Sequence, residues 1–502
     1  MTESSEARRP SSTWWRVASG PVLFLLVELF FRPELALAPE LLAKHPDASP
    51  LLVRHAMAAT CWIAAWWFTE ALPIPVTSLL PLVLFPLLGL GSVGEVSREY
   101  GHELMFLFVG GVLLAVAMER TGLHERVAIR IIRLFGRGPA GLVLGFMVAT
   151  AAVSMWISNT ATTVMLLPVA LAVLSKVERG ESKTDNGFAV ALLLGIAFAA
   201  NIGGLGTPIG SPPNLIFQSV YKAKTGVEVG FGQWMAYGVP LIVVLLPLTW
   251  WFLTRELRRT APRVDFELAR FGKLAADQRW VLVVFLSTAA LWLTRGNFGD
   301  LQGWGSRLAE HGILVKDSTV AIVAATVLFI APGKEGRPIL DWSASTQLPW
   351  GILFLLGAGF AISSAFDSSG LTVWVGLQIE GFGHLDWSPS LLFLGLLAVI
   401  VATSILVTEF ASNTASANIL LPIVFGVCAA LGTDRFPPQL LMVACALACT
   451  TGFAVPAGTP PNALVFSTGR VSIGRFVRRG LVVDLFSLIL ITAFLGALHL
   501  LA

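Results

Sequence analysis

Charge is scarce in this chain. Of its 502 residues 13% are charged and 55% are hydrophobic, against roughly 25% charged in soluble globular domains, and the mean hydropathy is +0.76. That balance excludes a soluble globular fold and places the chain in a bilayer. Cysteine is scarce as well. Cys61, Cys428, Cys445 and Cys449 all sit in apolar runs without paired CxxC spacing, which excludes a thiolate metal site and leaves them as small hydrophobes in packed helices. No HExxH, no paired catalytic carboxylates and no nucleophile–base constellation occur, so an enzyme is not expected. No soluble segment is long enough for a signalling output domain, and a net charge of +3 gives no reason to expect nucleic acid as a partner.

What is abundant is apolar sequence in long runs. They lie near 18–37, 55–68 with 73–92, 103–118, 187–201, 234–254, 279–294, 317–332, 349–366, 388–407, 437–455 and 480–501, which predicts about eleven spans of roughly 20 residues. The fold class expected is therefore an all-α polytopic membrane protein with about 11 transmembrane helices and two re-entrant helical hairpins. Positive charge clusters at three places. Arg8, Arg9 and Arg16 precede the first span; Arg255, Arg258, Arg259, Arg263, Arg270, Lys273 and Arg279 fill a loop; Arg470, Arg475, Arg478 and Arg479 precede the last span. The positive-inside rule puts all three in the cytoplasm, with the N-terminus inside and the C-terminus, Leu498 to Ala502, outside. The polar stretch 1–13 is expected to be a disordered cytoplasmic tail. The first apolar run is followed by no small-residue cleavage site and by many more spans, so it is read as a retained helix rather than a secretory signal.

The chain also repeats itself. Phe106-Leu107, Gly111 and Thr121-Gly122-Leu123 recur 248 positions later as Phe354-Leu355, Gly359 and Ser369-Gly370-Leu371. The run Gly210-Ser211-Pro212-Pro213-Asn214 recurs at the same offset as Gly458-Thr459-Pro460-Pro461-Asn462. Ser158-Asn159-Thr160 recurs 254 positions later as Ser412-Asn413-Thr414, so a few residues were gained or lost in a loop. Similarity at half-chain scale is the mark of a repeat-built transporter. The expected organisation is a first transmembrane helix and external loop over 14–54 and a first repeat over 55–254, with a hairpin at 139–176 and a broken helix at 187–222. A basic cytoplasmic segment follows over 255–279. The second repeat and the last helix fill 280–502, with a hairpin at 388–431 and a broken helix at 437–468. The charge map permits the two repeats to be inverted. Segment 295–315, rich in Gly, reads as an external loop. The stretch 120–137 interleaves five arginines with Val, Ile and Leu, and is either an interfacial helix or a cytoplasmic extension of a span.

Polar, helix-breaking backbone at membrane depth is tolerated only where it is buried in protein or lines a wet cavity. The flanks of the first triplet, 145–157 and 161–174, are too short to span, so they predict two arms of a hairpin with Ser158-Asn159-Thr160 at its tip; 401–411 and 415–431 flank the second triplet in the same way. A tip sets carbonyls at the end of one arm and free N–H groups at the start of the next. The first favour a cation and the second an anion. In the Pro-Pro-Asn runs, proline breaks the span and glycine permits close backbone approach. The cores of 139–175, 187–221 and 440–469 hold no Lys, Arg or His, and 401–422 holds only Glu409. A dianion here has no resident protein cation, and its desolvation costs several kcal/mol per charge. The countercharge must therefore arrive from outside, as Na⁺ or protons.

At these residues the chain resembles the divalent anion/sodium symporter family, the INDY-type di- and tricarboxylate transporters. Two Ser-Asn-Thr tips and two Pro-Pro-Asn breaks carry the resemblance, and the repeat similarity extends over roughly residues 55–470. The resemblance implies a homodimer in which each protomer has a scaffold domain and a transport domain that moves as an elevator. It implies a first Na⁺ site at Ser154, Ser158, Asn159 and Gly210, and a second at Thr408, Ala411, Asn413 and Gly458. Substrate carboxylates would be held by Ser158, Asn159, Thr160, Ser412, Asn413 and Thr414, and by Ser211, Pro212, Thr459 and Pro460. Ser154 and Thr408 each stand four residues before their triplet, one helical turn from the tip. Gly458 is a position where some relatives are expected to carry Ala, a change to which a carbonyl ligand is indifferent.

The function implied is Na⁺-coupled symport of C4 dicarboxylates (succinate, malate, fumarate) across a bacterial inner (plasma) membrane. The partners are Na⁺, as co-transported ion, the dicarboxylate, the lipid bilayer and a second copy of the chain. A dicarboxylate exchanger and a Na⁺-coupled citrate or sulfate carrier are the alternatives; a membrane-embedded sensor or enzyme is a remote one. Glu409 is either a structural partner or a group that tunes the second cation site.

Overall fold

The computed structural model describes residues 14–33, 49–135, 138–177, 187–257, 271–297, 302–379 and 388–501. The expected tail over 1–13 and the arginines at 8, 9, 137, 258, 259, 263 and 270 lie outside them. Among the described residues the chain is helical and has no strand beyond an isolated bridge between Pro332 and Pro338. By length and composition, seven stretches among the described residues can cross a membrane: Val93–Thr121, Gly187–Gly204, Phe231–Thr254, Trp350–Ser369, Pro389–Phe410, Asn413–Leu431 and Ile473–Leu501. Shorter apolar helices accompany them, among them Pro139–Ser154, Asp317–Ile330 and Pro438–Cys449. An all-α polytopic membrane protein is thus the architecture observed.

Several expected boundaries shift, each for a local reason. The run 73–92 is cut into Ile74–Thr77 and Pro81–Leu87, because proline at 73, 75 and 81 removes N–H donors. The arms around the first tip are Pro139–Ser154 and Asn159–Val177, and around the second Pro389–Phe410 and Asn413–Leu431. All are longer than the short flanks expected. The apolar sequence continues outward from both tips until a proline at the first helical position starts each ascending arm. Segment 295–315 is not wholly a loop, since Trp304–Glu310 is a helix. Arg475, Arg478 and Arg479 do not precede the last helix but lie in its first two turns, because that helix starts at Ile473. The arginine-rich stretch is a separate helix, Leu123–Leu134, set off from Glu103–Thr121 by Gly122. It buries Leu123, Ile129 and Ile132, and also Arg126, whose guanidinium donates to the carbonyls of Gly272 and Lys273 and to Gln278 Oε1 at 2.7 Å.

Glycine at 122 has a structural counterpart at its repeat position. Gly122 has φ 68° and Gly370 φ 82°, the left-handed conformation that closes a helix and that side chains disfavour. Each therefore ends one helix and opens the next, Glu103–Thr121 to Leu123–Leu134 and Trp350–Ser369 to Leu371–Ile379.

The chain falls into two compact units that do not follow the repeats: residues 1–101, 350–386 and 418–436 in one, and 102–349, 387–417 and 437–502 in the other. In the first, Gly20 lets helix Trp14–Phe30 lie against Pro50–Thr69; a Cβ there would come within 2.2 Å of Trp62. Trp66 Nε1 ties the pair by donating to Val17 O at 2.9 Å. In the second, Gly187–Gly204 is the centre. Its best membrane-length window is 94% buried, against 33% for Ile473–Leu501, so it is a helix that is apolar on all sides because protein surrounds it. Pro139–Ser154, Asn159–Val177, Phe231–Thr254 and Pro460–Ser467 pack around it.

Candidate functional site

Both triplets sit where two helices meet at a tip, and both tips lie in the larger unit beside a helix break. The first arm ends at Ser154 and the next begins at Asn159; in the second half the corresponding ends are Phe410 and Asn413. Ser158 acts as the cap of its descending arm, its Oγ accepting the N–H of Ala161 at 3.2 Å. The breaks are longer than proline alone requires. The first halves stop at Gly204 and Cys449, and Pro212-Pro213 and Pro460-Pro461 begin the second halves. The proline pair starts a helix here rather than ending one, since a first-turn residue needs no N–H partner. Residues 205–211 and 450–459 between them are non-helical and almost wholly buried.

Each tip is fastened in the same way to the helix that leads into its own break. Ser154 Oγ lies 2.7 Å from Asn159 Oδ1 and 2.8 Å from the Ala200 carbonyl. Thr408 Oγ1 lies 2.8 Å from Asn413 Oδ1 and 2.7 Å from the Cys449 carbonyl. The hydroxyl has one proton for two oxygens in both cases, so three oxygens converge on one point. Asn214 Nδ2 donates to Gly204 O at 2.9 Å and Thr207 O at 2.8 Å; Asn462 Nδ2 donates to Gly452 O at 3.2 Å and Val455 O at 3.3 Å. Two carbonyl acceptors fix which end of each amide is nitrogen. The amide oxygens of Asn214 and Asn462 are buried without a partner among the described residues.

The two breaks are also laced to each other. Asn201 Nδ2 donates to Thr459 Oγ1 at 3.0 Å, and Ser211 Oγ and Thr450 Oγ1 are 3.2 Å apart. Positions 211 and 459 correspond in the repeats, so each break hydroxyl meets a polar side chain of the opposite half. Asn201 also accepts from Asn159 Nδ2 at 3.4 Å. All four lacing residues are buried.

The structure thus brings together Ser154, Asn159 and the break that carries Gly210, and Thr408, Asn413 and the break that carries Gly458. It places Ser211 and Thr459 inside the lacing, where their hydroxyls already have partners. Among the described residues, Thr160, Ser412 and Thr414 have no side-chain partner within the chain, which leaves those hydroxyls free for a ligand. Ser158 and Pro460 are exposed, and Ser412 and Pro212 half-buried. A Cβ at Gly458 would lie 3.1 Å from Glu409 O and 3.2 Å from Val455 O, so that position is tighter than indifference to Ala implies. Sequence reasoning missed Asn201, Thr207, Thr450, Asn214 and Asn462 as parts of the site. Asn201 had a signal, being the sole amide side chain in the helix Gly187–Gly204, and buried polar groups at membrane depth are functional candidates by default.

Apart from the buried carboxylates of Glu409 and Asp484, which accept main-chain N–H groups of the second break, the site offers neutral oxygens and helix ends. Among the described residues no group of three His, Cys, Asp or Glu is placed to hold a metal ion. Hydroxyl, amide and main-chain oxygens at helix C-terminal ends suit a weakly held monovalent cation, and helix N-termini at Asn159, Asn413, Pro212 and Pro460 suit a carboxylate or other anion.

Comparison with known proteins shows the family. The sodium-dependent dicarboxylate transporter SdcS of Staphylococcus aureus (strain MRSA252) is 38% identical over 505 aligned positions, covering 97% of this chain and 92% of that protein. SdcS of Staphylococcus saprophyticus is 38% identical, covering 94% and 88%. Two solved structures share the fold: the Alcanivorax borkumensis YdaH transporter, with a TM-score of 0.55 at 18% identity over 80% of this chain and 86% of that one, and Neisseria gonorrhoeae MtrF, with 0.56 at 12% over 80% and 83%. The family described as "Sodium:sulfate symporter transmembrane region" matches residues 30–500. A match over nearly the whole length, with both tips and both breaks inside it, makes this chain a member of that family of membrane symporters.

Proposed function

We propose that this protein is a Na⁺-coupled carrier that takes up C4 dicarboxylates such as succinate, malate and fumarate. The observation that carries this is the paired set of neutral-oxygen clusters, Ser154 with Asn159 and Thr408 with Asn413, each lying beside a helix N-terminus and without a basic side chain in the flanking segments. A C4 dicarboxylate brings two negative charges. Leaving water costs several kcal/mol per charge even after relaxation, and two cations bound at the clusters offset that cost. The substrate is then held only when the cations are present, which is coupling. The names of relatives 38% identical over nearly the whole chain support both Na⁺ and dicarboxylate.

The first cation would lie among Ser154, Ser158, Asn159 and Gly210, the second among Thr408, Ala411, Asn413 and Gly458. Thr160, Ser412 and Thr414, with their uncommitted hydroxyls, would meet the carboxylates together with the helix starts at Pro212 and Pro460. We infer a homodimer in a bacterial plasma membrane, N-terminus inside and C-terminus outside, built of inverted repeats and working as an elevator with scaffold and transport domains. The family description favours a second reading, sulfate as substrate.

Uptake of labelled succinate into proteoliposomes tests the reading. It should require an inward Na⁺ gradient and resist competition by sulfate. Uptake driven only by internal dicarboxylate, without Na⁺, would make the protein an exchanger, and full competition by sulfate would favour the second reading. Asn159→Ala and Asn413→Ala should each abolish uptake while the purified protein stays monodisperse. Retained transport in either would refute the site.

A further inference from the structure

The two halves close their breaks onto their tips by opposite means. In the first half the tether belongs to the break. Thr207 Oγ1 donates to the main-chain carbonyl of Met155 at 2.5 Å and accepts the N–H of Gly210 at 3.1 Å. In the second half Val455 occupies the repeat position of Thr207, and it has no hydroxyl; Glu409 occupies that of Met155. There the tether comes from the tip. Glu409 Oε1 accepts the N–H of Ala454 at 2.8 Å, and Oε2 accepts the N–H of Val455 at 2.6 Å.

The backbone explains why a carboxylate is needed. Helix Gly187–Gly204 carries on as far as Gly204, and the next two N–H groups, of Leu205 and Gly206, still bond back to Ile202 and Gly203. Helix Pro438–Cys449 stops three residues earlier in repeat terms, since Gly452 corresponds to Gly204. The N–H groups of Phe453, Ala454 and Val455 are left pointing one way with no helical acceptor. Successive N–H groups of this kind form an anion-binding concavity. Asp484, from helix Ile473–Leu501, accepts the first at 3.0 Å, and Glu409 accepts the other two. Both carboxylates are buried. Gly458 lies against Glu409: a Cβ there would come within 3.4 Å of Oε2 and 3.1 Å of its main-chain oxygen.

We propose that Glu409 is the positioning residue of the second cation site, holding the break that carries Gly458 against the tip that carries Thr408 and Asn413. Its carboxylate does for the second half what the Thr207 hydroxyl does for the first. The proposal rests on the Na⁺-coupled reading and adds an asymmetry to it.

The test is Na⁺ activation of succinate uptake in proteoliposomes, with the Na⁺-induced rise in melting temperature of the purified protein as a second readout. Glu409→Gln keeps one acceptor oxygen but turns an amide donor toward the other N–H. Loss of one such bond at the cation-bearing break should raise the Na⁺ concentration for half-maximal uptake about fivefold or more. A purely structural defect would instead lower the amount of active protein and leave that concentration unchanged. Adding Val455→Thr restores the first half's tether, a threonine hydroxyl reaching the carbonyl of residue 409, and should return half-activation to within about twofold of wild type. Where the single variant fails to fold, the double variant decides. Wild-type Na⁺ dependence in a folded double variant supports the proposal, and a raised Na⁺ requirement overturns it. Half-activation unchanged in Glu409→Gln overturns it too, as does a raised succinate requirement at saturating Na⁺ with the Na⁺ requirement unaltered. If wild-type uptake needs no Na⁺ at all, the function reading has failed, not the assignment of Glu409.

Discussion

Breaking one lacing bond tests whether the two breaks form a single site. The pair to perturb is Asn201 and Thr459, whose 3.0 Å bond joins residues 258 positions apart in sequence. Both side chains are at most 2% exposed. Asn201→Ala removes the donor to Thr459 and the acceptor for Asn159 Nδ2. Thr459 retains a weaker contact, the N–H of Asn462 at 3.4 Å, so its oxygen is not wholly orphaned. A neutral bond is worth a net 0.5–1.5 kcal/mol, and an orphaned buried partner costs about 1–3 kcal/mol. Asn201→Ala is therefore expected to cost about 1–3 kcal/mol, or roughly 5- to 150-fold in the population of assembled sites. Thr459→Val, which keeps the shape, should cost about 1 kcal/mol. Interhelical bonds inside membranes couple by about 0.6 kcal/mol on average and about 1.7 at most, so the double variant should fall short of additivity by about 0.6–1.7 kcal/mol. Specificity for succinate, measured as kcat/KM at saturating Na⁺ in proteoliposomes, gives each term. Costs that add to within about 0.3 kcal/mol would refute the bond, and with it the joining of the two half-sites.

Two further outcomes follow from close packing and from surface anchoring. Gly204→Ala would place a Cβ 2.8 Å from Asn159 Oδ1 and 3.0 Å from Nδ2, so it should cut Na⁺-dependent uptake about tenfold or more by displacing that amide; Gly474→Ala, with no neighbour within 4 Å, should leave uptake unchanged, and equal activity of both variants would contradict the packing. Arg126→Gln releases the carbonyls of Gly272 and Lys273, so limited trypsin digestion should cut after Lys273 about tenfold faster than in wild type, and an unchanged rate would mean the segment is held by other contacts.

Much of this was legible from residue types alone. Ser-Asn-Thr and Pro-Pro-Asn announce themselves because polar triplets and paired prolines are costly in a bilayer, and finding each twice leaves few meanings. Helix ends were less legible. The flanks 145–157 and 401–411 fall short of the arms, which start at Pro139 and Pro389 as the hairpin bounds 139–176 and 388–431 imply, because apolar sequence carries no internal stop signal; the proline pairs start the second half-helices, but the first halves stop well before them, at Gly204 and Cys449. The lacing was invisible: Asn201, Thr450, Ser211 and Thr459 stand in different halves, and only tertiary packing brings them within 3.2 Å. Glu409 stands out in the sequence as the sole charged residue of 401–422. Its role depends on where helix Pro438–Cys449 stops, and no residue near Cys449 marks that end.

The crossed bonds also constrain how this chain can evolve. The two lacing pairs are built from different residue types, Asn with Thr and Ser with Thr, and while 211 and 459 correspond at the repeat offset of 248, 201 and 450 stand one position out of register. A change at 201 is felt first at 459, and a change at 211 at 450, rather than by near neighbours in sequence. Among relatives, substitutions at these positions should accordingly come in long-range couples, and each couple should drift separately from the other. The duplication therefore ended the independence of the two halves while leaving each free to settle its own chemistry.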